Sequence, residues 1–167
     1  MKTIEYRTVN KLTWGRGAWE GKPDKKQFVD EATGSPCLAT GLPCLIVRNP
    51  MGALCGYVGV PEGHPFYEKD YDEVEASVHG GLTFASFCQE VDNPCEGVCH
   101  LVEEGEPDNV WWLGFDCNHA GDIAPGMHSR LPSYLKILDR SFEESYKDMT
   151  YVEAEVKELA AQVKSAG

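Results

Sequence analysis

Between Lys69 and Arg130 the chain contains no lysine and no arginine. Those 60 residues hold 13 acidic side chains and four of the five histidines, His79, His100, His119 and His128. Over all 167 residues the formal net charge is −12. A chain so short of cations is poorly suited to coat nucleic acid or anionic lipid, because both need an extended basic face. Neither extended nucleic acid nor a membrane is therefore expected as a partner. Also missing is any apolar run of about 18 residues, the least that spans a bilayer. The opening Met1-Lys2-Thr3-Ile4-Glu5-Tyr6-Arg7 lacks the apolar stretch of a secretory leader. The seven cysteines are Cys37, Cys44, Cys55, Cys88, Cys95, Cys99 and Cys117, and no two form a C-x2-C pair. An odd number of thiols without a leader fits reduced cysteines and a cytoplasmic location.

What is present describes one folded domain, residues 1–167. Hydrophobic residues at 42% and charged residues at 25% separate the chain from disordered sequences. A chain of this length can bury about 70% of the surface its unfolded form exposes, enough for one core. The expected fold class is α+β: an antiparallel β-meander with one or more C-terminal amphipathic helices packed on it. Strands are expected at 27–30, 44–48, 53–60, 78–84 and 110–116, from their β-branched, apolar and aromatic runs. Asn49-Pro50-Met51-Gly52 carries turn residues in the right order between two of them. Gly56 and Gly59 inside the next strand point to a bulge or a close backbone approach. Gly105-Glu106-Pro107-Asp108-Asn109 reads as a turn. Residues 32–38 and 39–45 repeat one heptad with six of seven positions identical. The repeat is read as a duplication that lengthens a hairpin loop, with Cys37 a copy of Cys44 rather than a ligand. A helix is expected from Ser133 to about Tyr146, with Leu135, Leu138 and Phe142 inward. A second begins at a Thr150/Glu153 capping box and buries Val152, Val156, Leu159, Ala160 and Val163.

Three groups of residues can carry chemistry. The first is His79 with Asp116, His119 and Asp122, expected as catalytic or metal-binding residues. Imidazole nitrogen and carboxylate oxygen suit a divalent ion such as Zn or Mn. Without a metal, either histidine can act as a base oriented by an aspartate. The plainer alternative is aspartates that cap turns and a structural histidine. The second group is Cys88, Cys95, Cys99 and His100, an alternative structural zinc site with the unusual spacing C-x6-C-x3-C-H. The plain alternative is small buried thiols. The third is basic and aromatic, Arg16 and Trp19 in the run 14–19, with Arg48 further on. An arginine beside tryptophan can stack on a base or fork onto a phosphate. His64, held between Gly63 and Pro65, and Gly80, Gly81 and Thr83 complete the ligand-binding set. A phosphate needs cations that residues 70–129 lack. Either Arg16, Arg48 or Lys25 reaches over from the first 60 residues, which are net basic, or a metal does the work.

The pieces Gly56-Tyr57-Val58-Gly59-Val60-Pro61 with Gly63-His64-Pro65, then Val78-His79-Gly80-Gly81-Leu82-Thr83, then Trp111-Trp112-Leu113-Gly114-Phe115-Asp116 with His119-Ala120-Gly121-Asp122, resemble a family of small uncharacterised proteins of bacteriophages and bacteria. The resemblance runs from about Asn10 to the final helix. It implies a phage-encoded or bacterial cytosolic protein and brings no known activity with it. A single heptad is expected in that family, so the duplication is a departure. The expected function is binding of a small phosphorylated or nucleotide-like ligand in the His/Asp cleft, with hydrolysis as its chemistry. The rival is a non-catalytic sponge or an inhibitor of a host protein, a counter-defence factor using its acidic surface and a Trp111-Trp112 anchor.

Overall fold

The computed structural model describes residues 2–29, 40–89, 91–93, 96–100, 109–130 and 145–167. Six strands form one sheet: β1 (Lys2–Tyr6), β2 (Lys25–Val29), β3 (Cys44–Arg48), β4 (Leu54–Val60), β5 (Phe84–Ser86) and β6 (Trp111–Asp116). Their spatial order is β1-β2-β3-β4-β6-β5, and every neighbouring pair is antiparallel. A one-turn helix α1 (Pro125–His128) follows β6, and the long helix α2 (Met149–Ala166) ends the chain. The α+β expectation is met.

Strands β3 and β4 are buried along their whole length because both faces of the sheet are covered. On one face Ile46, Leu54, Val58, Leu113 and Phe115 meet Val152, Val156, Leu159, Ala160 and Val163 of α2. That helical stripe is fully buried, as its spacing requires. On the other face Leu45, Val47, Cys55, Tyr57, Val98 and Trp112 form a second cluster. Gly56 is the point of closest approach. A Cβ there would stand 2.5 Å from the Phe115 ring and 2.5 Å from a Val156 methyl. The glycine expected to mark a close backbone approach does so. The expected turn after β3 also forms, with the Gly52 amide donating to the Asn49 carbonyl at 2.9 Å.

Other expectations shift. Strand β1 carries no clear apolar pattern and was not foreseen; its place comes from a five-residue ladder with β2. Residues 78–81 are a turn rather than a strand, closed by the Gly81 amide on the Val78 carbonyl at 3.0 Å. Gly80 and Gly81 both have positive φ, and the strand starts only at Phe84. The cap of α2 is Asp148, not Thr150: the Asp148 carboxylate accepts the Tyr151 amide at 2.9 Å. Glu153 pairs instead with Lys26 of β2, 2.5 Å away. The helix expected over 133–146 lies outside the described residues up to 144. Ser145 stands in an isolated bridge to Asp122. Cys37, Asp30, the first heptad and most of the 105–109 turn also lie outside them.

Cysteine chemistry is a further correction. Cys88 and Cys99 form a disulfide, with their Cα atoms 4.9 Å apart. Cys44, Cys55 and Cys117 are buried and in no disulfide among the described residues. The disulfide gathers the segment that covers the second face. There Lys25, fully buried, donates its ammonium to the carbonyls of Gly97 at 2.9 Å and Cys99 at 2.5 Å. No described helix is long and apolar enough to cross a membrane.

Two substitutions test this packing. Gly56→Ala should cost about 1–3 kcal/mol through overpacking, read as a lowered urea midpoint with unchanged slope. Cys88→Ser with Cys99→Ser should cost about 2–4 kcal/mol. A reducing agent should give the wild type the same loss and leave the double variant unaffected.

Candidate functional site

The site is built where two loops meet the first turns of α2. The segment leading to His79 is tied along the helix at three points. Gln162 faces Ser77 like a strand, accepting its amide at 2.8 Å and donating to its carbonyl at 2.9 Å. Glu155 accepts the His79 amide at 2.7 Å. The Tyr151 hydroxyl stands 2.9 Å from His79 Nδ1. The second loop follows β6. Its turn closes through the Asp122 amide on the His119 carbonyl at 2.9 Å. Parallel bonding with Ser145 holds its far side.

Asp122 is the hub. One carboxylate oxygen, Oδ2, lies 2.7 Å from His79 Nε2 and accepts the His119 amide at 3.0 Å. The same oxygen is 3.6 Å from His119 Nδ1. Lys147 Nζ is 3.8 Å from the other oxygen, Oδ1. Only 3% of the Asp122 side chain is exposed. Burial by itself would raise its pKa. The hydrogen bonds from His79 and the His119 amide, with attraction from the His79 imidazole and the Lys147 ammonium, outweigh burial and hold the carboxyl below its ordinary value. The two imidazole rings meet edge to face at 5.5 Å, and His79 meets Tyr151 in the same way at 5.5 Å. His119 sits against the bare Cα of Gly80, where any Cβ would overlap its ring. That contact explains the glycine after His79.

His79, His119 and Asp122 each offer a ligand atom within 4.8 Å of the other two, so the group can hold a metal ion. The nitrogen-rich set with one carboxylate suits Zn, and Mn less closely. Tyr151 on the far nitrogen of His79 supplies the outer hydrogen bond that orients a ligating imidazole. With no ion, an Nε2–H donates to Asp122 and leaves Nδ1 to accept from Tyr151.

The other expected residues fall in different places. Asp116 is next to the group but outside it. Its carboxylate accepts Thr83 Oγ1 at 3.0 Å and the Asn118 amide at 2.9 Å, and it lies 3.8 Å from His119 Nδ1. Thr83 thus positions Asp116. Gly81 has open space around its Cα. His64 is remote. Its Nδ1 accepts the Phe66 amide at 3.1 Å, and its Nε2 donates to the Val163 carbonyl at 2.9 Å. Val163 is twelve residues along α2 from Tyr151, about 18 Å at 1.5 Å per residue. His64 therefore caps the far end of the helix.

Arg48 is buried and occupied. It donates to Asp24 at 2.8 Å, to the Gly52 and Pro23 carbonyls at 2.8 and 3.1 Å, and to the Tyr146 hydroxyl at 2.7 Å. Lys25 is buried on the second face, so neither cation reaches the His/Asp group. Trp19 packs on Tyr146, and Arg16 lies with the first-half loop, apart from the site. The alternative zinc set is overturned. Cys88 and Cys99 are spent on a disulfide, His100 packs its ring on Trp112, and Cys95 lies outside the described residues. Of the two tryptophans expected as an anchor, Trp112 is fully buried in the core and Trp111 is half-buried.

Sequence reasoning missed Tyr151, Glu155 and Lys147. A signal was available for two of them. Tyr151, Glu155 and Gln162 form a polar stripe at i, i+4 and i+11, one residue out of step with the apolar stripe. Lys147 had no such signal; the turn before α2 brings it in. It is the cation that the 70–129 block lacks.

No family model matches the chain, and no curated protein and no solved structure matches it. Fold and site thus define an α+β protein with a His/His/Asp group able to hold a metal ion.

The lowered Asp122 pKa sets a pH dependence. Stability gained from ionised Asp122 is complete above its unfolded value, near 3.8, and is lost as pH falls through the lower folded value. Asp122→Asn should remove that portion of the acid dependence. The check is urea stability from pH 2 to pH 7, where the gap between wild type and variant should narrow below about pH 4.

Proposed function

We propose that the chain binds a divalent ion, Zn or Mn, at His79, His119 and Asp122 and hydrolyses a small phosphorylated or nucleotide-like substrate there. The observation that supports this most is the meeting of those three donors from two separate loops within 4.8 Å. Three protein ligands leave a fourth position for water, the pattern of a catalytic rather than a structural site. A bound ion would lower the pKa of that water to about 7 and so supply a nucleophile at neutral pH. The water oxygen would bond to phosphorus as the ester P–O bond breaks, and the departing oxygen would take the proton that the water gives up, carried on Asp116. Asp116, about one-third exposed beside His119, is placed to take the water's proton. Lys147 is placed to attract the phosphoryl charge. A phage or bacterial setting belongs to the same proposal.

One observation favours the rival, a non-catalytic sponge or inhibitor of a host protein. Both ring nitrogens of His79 already have protein partners, so the cluster is also complete as a structural knot.

Dialysis of the purified protein against Zn and Mn, followed by elemental analysis, separates the two. About one equivalent of metal should be retained, with protons released on binding. At 100 times the dissociation constant the metal should add about 2.7 kcal/mol of stability. His79→Ala, His119→Ala and Asp122→Ala should each abolish stoichiometric retention. Phosphate release from a panel of phosphate esters and nucleotides should require the metal and disappear in His119→Ala. Retention unchanged in all three variants, or none in the wild type, would sink this reading in favour of the rival.

A further inference from the structure

The net basic first half builds a cavity of its own. It has a volume of about 680 Å³ and is lined by Arg7, Lys11, Arg16, Val9, Leu12 and Glu20, with glycines at its rim. Three cations against one carboxylate make it the reverse of the acidic remainder. Its walls are tied in place. Trp19 folds back so that its indole N–H donates to the Gly15 carbonyl at 3.1 Å. Arg7 Nε holds the Gly21 carbonyl at 3.0 Å, and Lys11 Nζ holds the Lys22 carbonyl at 2.9 Å. Gly15 and Gly21 take positive φ at the two bends of this loop. Asp24 anchors the opposite strand end, accepting the Thr8 and Val9 amides at 2.9 Å each.

The cations differ in what they have left to give. Lys11 is neutralised by Asp24, 2.6 Å away. Arg7 uses Nε on Gly21 and leaves both terminal nitrogens without a partner among the described residues. Arg16 makes no hydrogen bond or ion pair to any described residue. Two guanidinium groups with forked donors to spare are the usual means of holding a phosphate. Beside them Val9 and Leu12 line the same cavity and give it an apolar side. Cations next to an apolar wall fit an anion that carries a flat apolar body.

The cavity is distinct from the His/Asp group. Tyr6, Lys25, Val47, Cys55 and Asp116 pair in one row across five strands. Four strand spacings of about 4.8 Å put the start of the cavity loop some 19 Å from Asp116, at the same end of the sheet. A phosphate held here is out of reach of a metal at His79.

We propose that the Arg7/Lys11/Arg16 cavity is a separate binding site for a phosphate monoester bearing a planar group, of the mononucleotide class. It stands whether or not the His/Asp group holds a metal. The test is calorimetric titration of the full chain with AMP, inorganic phosphate and adenosine, in EDTA. AMP should bind at one site, phosphate more weakly, and adenosine not measurably. Arg16→Ala removes no hydrogen bond or ion pair among the described residues and should weaken AMP binding about tenfold or more, with Arg7→Ala similar. Glu20→Gln should tighten it by removing the opposing charge. His119→Ala should leave it unchanged, which separates this site from the metal site. Absence of saturable AMP binding, equal binding of adenosine, or Arg16→Ala and Arg7→Ala binding as the wild type would overturn the proposal. Loss of AMP binding in His119→Ala would move the ligand to the other site and overturn it as well.

Discussion

The contact between α2 and the centre of the sheet is the constraint on which the other features depend. Gly56 removes the side chain that would stand between them, and Val156 and Phe115 fill the space. The apolar stripe of α2 is then sealed against β3 and β4, and the helix has one rotation about its own axis. That rotation decides what the neighbouring polar stripe meets. Tyr151, Glu155 and Gln162 are offered to residues 77–79, and the histidine loop is fastened by them. The position of His79 is therefore a consequence of core packing on the face of α2 beside its polar stripe.

The same logic explains the distribution of buried charge. Arg48 and Asp24 are both nearly inaccessible, a pairing whose desolvation cost is offset only when the remaining donors and acceptors are met. They are met by the amides of Thr8 and Val9, the carbonyls of Gly52 and Pro23, and Tyr146. This network fixes where the chain leaves β1 and enters β2, so it shapes the cation-lined loop between them. Arg48 is valuable there as a strut, buried and with four of its five N–H donors committed inside the protein. A charged residue on an apolar strand reads in sequence as a functional candidate. Only the list of its partners shows that it is structural.

Much of the frame was legible. The run 44–48 was strand because apolar residues follow one another from Cys44 to Val47, with Ile46 and Val47 β-branched, and the 49–52 turn because Asn, Pro and Gly occupy the positions their backbone preferences demand. The stripe of α2 followed from a period of 3.6. Strand β1 was not legible, because an edge strand half in water needs no apolar pattern and is held by ladder bonds to β2. The 78–84 run misled for another reason: His79-Gly80-Gly81 needs positive φ at both glycines, which a strand cannot use. At the site, His79, His119 and Asp122 were named together because their types share a ligand chemistry. Their convergence could not be derived, since 40 residues separate His79 from His119. Spacing also gave Asp116 the same rank as Asp122. Burial separates them: Asp122 is enclosed and bonded by both histidine segments, whereas Asp116 stays partly in solvent, held by Thr83.

The cation-free stretch from 70 to 129 gains a physical meaning from this arrangement. A carboxylate serves a metal only if it is not already matched by an ammonium or guanidinium group, since the two positive charges compete for the same oxygen. At 4 Å two unit charges interact by about 4 kcal/mol at an effective dielectric constant of 20. Asp24 shows the alternative. It is claimed by Arg48 at 2.8 Å and Lys11 at 2.6 Å, and it is a structural anion. Among the described residues the one lysine or arginine paired with Asp122 is Lys147, at 3.8 Å and on its other oxygen. The oxygen facing His79 and His119 bonds one imidazole nitrogen, that of His79, and the His119 amide, and an imidazole nitrogen can exchange its proton for a metal ion. Arg7 and Arg16 lie four strands away around a cavity of their own, so neither guanidinium competes for that oxygen.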